Sequence, residues 1–233
     1  MCNRYTQKQD LSKLKSRFRF RSAVDELTPR YNLAPSQPAP VIVANGERLL
    51  DLYRWGLIPA WAKDPKVGNK MMNARAETVA QTAAYQRPFQ RHRCLVPADG
   101  FYEWKPDPTN PKKAPKTPMY ITLASEEPFA FAGLWDVWRD AEGREIRSFT
   151  IITTEPNELI RPIHNRMPAI LKRQDEDAWL DPTARPEFLQ GLLAPYPADA
   201  MTAYAVSRLV NSARNDSPDL ILPADQPDQP SLL

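Results

Sequence analysis

The second residue of this chain is the first that could do chemistry. Aminopeptidases that remove an initiator methionine act when the next residue is small, and Cys2 follows Met1. Loss of Met1 leaves a chain that opens on a 1,2-aminothiol. Its α-amine, with a pKa near 7.7–8.0, is roughly one-tenth neutral at pH 7, whereas a lysine near 10.4 is neutral less than about 0.1% of the time. The amine is therefore the better nucleophile toward an aldehyde. The thiol beside it can then close onto the imine and form a five-membered thiazolidine. A cysteine at position 2 also occurs by chance, so its meaning depends on what else the chain carries.

Three other stretches hold groups that could assist. Asn73-Ala74-Arg75-Ala76-Glu77-Thr78 opens an alanine-rich run, where Asn73 and Arg75 could meet an anion or a carbonyl at a helix start; solvated capping is the plain alternative. In Asp99-Gly100-Phe101-Tyr102-Glu103-Trp104, strand alternation sends Phe101 and Glu103 to one face and Tyr102 and Trp104 to the other. A carboxyl that shares the core-facing side has its pKa raised toward values useful for proton transfer, unless it forms a cross-strand salt bridge. Pro162-Ile163-His164-Asn165-Arg166-Met167-Pro168 places a histidine two residues from an arginine on a rigid loop, which suits an acid–base group beside a phosphate-binding guanidinium. Trp55 and Trp61 bracket Gly56-Leu57-Ile58-Pro59-Ala60 near Arg54 and Lys63, a pattern for stacking on single-stranded bases. His92, between Arg91 and Arg93, reads as a surface basic cluster.

These groups need a scaffold, and the composition limits what it can be. Proline reaches 25 of 233 residues, about twice ordinary usage, while glycine numbers only 7. Such proline density breaks long helices and central strands, so short elements joined by rigid turns are expected and a helical bundle is excluded. No run approaches the roughly 18 apolar residues of a membrane helix, and no apolar stretch follows the N-terminus as in a secretory signal. Two cysteines, Cys2 and Cys94, and two histidines cannot build a disulfide framework or a zinc site of known spacing. Neither a metal nor a cofactor is expected, and the compartment is expected to be the reducing cytoplasm. The formal charge of +3 is too small to prove a polyanionic partner, though bases can cluster locally.

Along the chain, Leu11, Leu14 and Phe18 space out an amphipathic helix with Asp10 as its cap. Pro29 to Pro40 reads as an extended loop. Val41 to Ala44, Asn45-Gly46 and Leu49 to Trp55 predict a hairpin on a type I′ turn. Ala74 to Tyr85 predicts a helix stopped by Pro88. Strands are predicted over 94–96, 100–104, 119–123, 129–138, 146–154 and 202–206, with helices over 157–163, 175–180 and 186–193. Residues 106–118, with five prolines and three lysines, read as an exposed loop. The fold class is α+β: one domain over 1–222, mostly antiparallel sheet with a barrel-like core and peripheral short helices, followed by a disordered tail over 223–233.

Taken in order, Met1-Cys2-x-Arg4-Tyr5, Arg30-Tyr31-Asn32-Leu33-Ala34-Pro35, Trp55-Gly56-Leu57-Ile58-Pro59-x-Trp61, Asn73-Ala74-Arg75-Ala76-Glu77, Arg93 to Trp104 and His164-x-Arg166-Met167-Pro168 closely resemble the SOS response-associated peptidase family, also called abasic-site processing proteins. The resemblance runs from residue 1 to about 210. It implies a monomeric protein that bonds covalently to abasic sites in single-stranded DNA, joining the nucleoid when bound. It implies catalytic roles for Cys2 as nucleophile, Asn73 in positioning the sugar or the N-terminus, Glu103 in moving protons, and His164 at the leaving oxygen or 3′-phosphate. Arg4, Arg75 and Arg166 would hold the DNA backbone. The chain departs at Asn3, where the family usually carries glycine. Two other readings compete: a cysteine or N-terminal-nucleophile peptidase, acting on Met1 itself or in trans, and a non-catalytic reader of modified bases.

Overall fold

Period-two alternation of apolar residues sorts this chain into layers. The structure is a computed structural model that describes residues 3–111 and 114–224, Asn45 by its backbone alone. The larger sheet runs Met167–Pro168, Glu145–Thr154, Phe129–Arg139, Arg93–Ala98, Pro38–Asn45, Glu47–Trp55 and Arg21–Ser22. Asn73–Arg75 pairs beside Glu145–Thr154, and Ile170–Leu171 beside Phe129–Arg139. Glu145–Thr154 also pairs in parallel with Glu47–Trp55, Ser148 against Arg54 and Phe149 against Trp55, so five of these strands close into a ring. That closure is the barrel-like core of a mixed, mainly antiparallel α+β domain. The smaller sheet has the order Met201–Ala205, Thr117–Leu123, Gly100–Lys105, Tyr5–Gln7, Arg30–Leu33.

The two faces of each strand feed different clusters. Val41, Val43, Cys94, Val96, Phe129, Phe131 and Phe149 pack with Tyr5, Phe101 and Ile121 of the smaller sheet. The alternate residues Ile42, Leu95, Ala130 and Ala132 face outward, under Leu14, Phe18, Phe89 and Trp179 from the helices. Tyr102 and Tyr120, on the outer face of the smaller sheet, are covered by Val206, Val210 and Leu220. No helix among the described residues is long and apolar enough to cross a membrane.

The helix Leu11–Phe18 forms as expected, with the Asp10 side chain accepting from the Lys13 N–H and Leu14 and Phe18 buried. Other expectations need correction. The hairpin exists, but Ala44 pairs with Arg48 and Asn45 with Glu47, so the reversal centres on Gly46 (φ +82°) instead of a two-residue turn. Pro29 to Pro40 is no loop: Arg30–Leu33 is a strand, and Pro38 and Pro40 open the next one. The ladder from that strand to Arg93–Ala98 covers only Ile42 and Val43, so the prolines sit where no second neighbour needs their missing N–H. The expected helix over 74–85 begins only at Ala83 and runs to Arg91 with Pro88 inside it. Residues 157–163 form hydrogen-bonded turns capped by the Asn157 side chain, which accepts from the Ile160 N–H. Arg93 is not a surface base: it is buried, and its guanidinium donates to the carbonyls of Phe89, Gln90, Trp179 and Asp181. Of the expected tail, Pro223 bridges Val206 and Ala224 donates to Ala205, while 225–233 lie outside the described residues.

Candidate active site

Glu103 lies on the strand Gly100–Lys105, and alternation puts it where the sequence placed it. Phe101 is in the inter-sheet core, whereas Tyr102 and Trp104 belong to the outer cluster. Glu103 is 2% exposed. Burial pushes its carboxyl up to about 7, against a smaller downward pull that includes Lys116. Gly100 makes the local geometry possible, because a Cβ there would lie 2.3 Å from the Tyr120 ring.

The N-terminal strand delivers the start of the chain to this carboxyl. Tyr5 pairs with Phe101 and Thr6 with Gly100, and Tyr102 N–H donates to Arg4 C=O at 3.0 Å. Continued two residues further, this antiparallel register sets Asn3 opposite Glu103. Asn3 accepts from Asn73 Nδ2 through Oδ1 at 3.3 Å and from Arg4 Nη1 through its carbonyl at 2.9 Å. Cys2 lies outside the described residues.

Asn73 reaches the site by a route the helix expectation missed. The Asn73–Arg75 strand runs parallel to Ile151–Thr153, with Asn73 against Ile151. Its position is secured by Met72 C=O accepting from Ile151 N–H at 3.1 Å and by Tyr85 Oη donating to Asn73 C=O at 3.3 Å. Pairing to a buried strand outweighs the helix preference of three alanines.

His164 Nε2 lies 4.0 Å from Glu103 Oε2. The Arg166 N–H, which can only donate, meets His164 Nδ1 at 3.0 Å, so the ring is assigned with its proton on Nε2, facing Glu103. Burial lowers the histidine's pKa while raising the glutamate's. At neutral pH the contact is therefore largely a neutral imidazole beside a half-protonated carboxyl, a proton reservoir more than a salt bridge. On the Thr117–Leu123 side Glu103 faces Met119, which offers it no charge.

The cations and tryptophans separate. Arg75 is exposed. Arg166 is occupied: Nη1 and Nη2 grip Glu77 Oε1 and Oε2 at 2.5 and 2.9 Å, and Nη2 also donates to Thr153 C=O at 2.5 Å. Trp61 is 68% exposed. Trp55 corrects the expectation of a stacking pair, because it has no exposed surface and is packed on Tyr5 and Phe149 with Nε1 donating to Met72 C=O. A base cannot reach it. Lys116, exposed yet acting electrostatically on both Glu103 and His164, escaped the sequence reading because nothing in a proline-lysine loop tells which lysine the fold sets near these groups. No group of three potential metal ligands occurs among the described residues.

Comparison with known proteins shows the family of the chain. The profile of the SOS response associated peptidase (SRAP) family matches residues 1–213. The abasic site processing protein YoqW of Bacillus subtilis is 48% identical over 225 residues, covering 95% of this chain and 99% of YoqW. The abasic site processing protein HMCES of Xenopus tropicalis is 33% identical over 222 residues, covering 84% of this chain and 66% of HMCES. A crystal structure of a Bacteroides thetaiotaomicron protein superposes with a TM-score of 0.86 at 30% identity, over 96% of this chain and all of that one. The chain belongs to the SOS response-associated peptidase family.

Proposed function

We propose that this protein processes abasic sites in single-stranded DNA by bonding to them through Cys2 after Met1 is removed, whether by an aminopeptidase or by the chain itself. The observation that carries this reading is the buried Glu103 carboxyl, poised near neutrality 4.0 Å from His164 and opposite the residue that follows Cys2. The names of the relatives point the same way.

In this mechanism the carboxylate of Glu103 accepts the proton of the sugar's C1 hydroxyl, and the acid form returns one to the ring oxygen. The ring opens to an aldehyde. The neutral α-amine of Cys2 adds to C1, and loss of water gives an imine. The thiol sulfur then adds to the imine carbon and its proton passes to the nitrogen, closing the thiazolidine. One water is released overall, and no oxidant is consumed. Asn73 orients the sugar or the amine, and His164 Nε2–H serves the leaving oxygen or the 3′-phosphate. Arg4, Arg75 and Arg166 hold backbone phosphates, and Trp61 stacks on an unpaired base. The protein acts as a monomer in the cytoplasm, associating with the nucleoid through the DNA.

Intact-mass measurement after mixing with an abasic oligonucleotide tests the reading. The expected product is protein lacking Met1 plus the oligonucleotide minus one water. Cys2→Ala should lose the heat-stable adduct and keep only a borohydride-trappable imine. A heat-stable adduct at the normal rate in Cys2→Ala overturns the thiazolidine. Unchanged protein mass with cleavage of peptides in trans would favour a peptidase instead.

A further inference from the structure

Arg166 is assigned to the DNA backbone in the reading above, yet its fork is already filled. Glu77 Oε1 and Oε2 take Nη1 and Nη2 end on, a bidentate geometry that a phosphate can also adopt on a guanidinium. The arginine is held from behind by Thr153 C=O and is 15% exposed, whereas Glu77 is 44% exposed. One partner is thus fixed in the wall of the site, and the other is free to swing into water. Arg166 Nε is buried with no hydrogen-bond partner among the described residues. Hydrogen bonding to Arg166 also holds the Glu77 carboxyl below the ordinary carboxylate range, so the occupant is an anion at neutral pH.

We propose that Glu77 is a built-in phosphate surrogate: in the DNA-free protein its carboxylate occupies the Arg166 seat, and a backbone phosphate displaces it on binding. The inference rests on the single-strand reading of the site. It explains how a cation one residue beyond His164 and its neighbour Asn165 can stay ordered and neutralised until DNA arrives. The displaced carboxylate then lies beside Arg75, which already acts on it electrostatically.

The test is equilibrium binding of an undamaged single-stranded oligonucleotide across a salt series, which needs no adduct chemistry. In the wild type, phosphate replaces one anion by another at Arg166, so that contact releases no counterion. In Glu77→Gln the arginine enters the encounter with its charge unpaired. The variant should bind about 2–5-fold tighter, matching the usual weight of a half-exposed ion pair, and its salt slope should steepen by about 0.7. Arg75→Ala, which removes an exposed cation outside the Arg166 fork, should flatten the slope by at most about the same amount. Weaker binding by Glu77→Gln, or an unchanged slope, would make Glu77 a positioning residue for Arg166 and overturn the surrogate. If Cys2-dependent adduct still forms in that case, the proposed function stands without it. If the wild type binds no single strand, both fall together.

Discussion

Asp99 and Glu103 lie four residues apart in the chain and are equally deep, each 2% exposed. Asp99, between the larger-sheet strand Arg93–Ala98 and the smaller-sheet strand Gly100–Lys105, is tethered. Its Oδ2 accepts from Lys8 N–H and its Oδ1 from Gln9 Nε2, both at 2.6 Å, and its backbone bonds Thr6 and Thr122. Burial raises its pKa while those fixed donors pull it back. Glu103 is pushed up to about 7 and faces an imidazole whose own pKa is depressed. Depth alone therefore does not make a proton carrier. The two carboxyls differ in what meets their burial: a backbone N–H and an amide bonded to the two Asp99 oxygens, and for Glu103 a neighbouring imidazole and the charge of Lys116.

The contrast breaks most visibly in the rate of adduct formation. Glu103→Gln should slow it by about 10²–10⁴ under single-turnover conditions, with affinity for single strands preserved. Asp99→Ala should leave the rate at the wild-type level. Equal slowing by both would mean that the local backbone, and not the Glu103 carboxyl, carries the effect.

Stability should move in opposite directions. Asp99→Ala strands two donors and should cost roughly 1–3 kcal/mol. Glu103 behaves differently because its folded pKa is above the unfolded value near 4.3. Proton binding favours the fold fully below about pH 4, and that contribution is lost as pH rises through about 7. Glutamine does not ionise. Glu103→Gln should therefore melt higher than wild type at pH 8, by of order 1–3 kcal/mol, with the gain vanishing near pH 4. A gain that is constant with pH would point to packing instead of ionisation.

The two tryptophans repeat the contrast on a smaller scale. Trp61→Ala should weaken single-strand binding by about 1–3 kcal/mol per stacked base while leaving the melting temperature unchanged. Trp55→Ala should do its damage to the fold, of order 3–5 kcal/mol. Equal affinity of wild type and Trp61→Ala, measured by fluorescence anisotropy, removes the stacking platform.

Much of this was legible in the chain. The Asp10 cap, the apolar spacing of Leu11, Leu14 and Phe18, and the alternation around Phe101 and Glu103 each map onto the structure residue by residue. The failures share one cause. Alanines at 74 and 76 favour a helix locally, yet both are buried by pairing or packing against Glu145–Thr154. The prolines at 38 and 40 argue for a loop until one sees that their strand has a single neighbour there. Trp55 and Trp61 look alike in sequence, and only strand closure at Phe149 buries the first.

What the sequence determined by itself is chemical and local: an aminothiol once Met1 is gone, a carboxyl on the same face as a core phenylalanine, a histidine on a proline-framed loop. Each follows from residue type and from a period of two or 3.6 residues, which bond geometry imposes on any chain. The tertiary structure alone decided which of these groups meet. His164 from a loop and Glu103 from a strand of the smaller sheet are brought to 4.0 Å, Asn3 is set against Asn73, and Glu77 is seated on Arg166 across 89 residues of chain. Those contacts depend on strand order and closure, and local periodicity carries no information about which distant strand will become a neighbour.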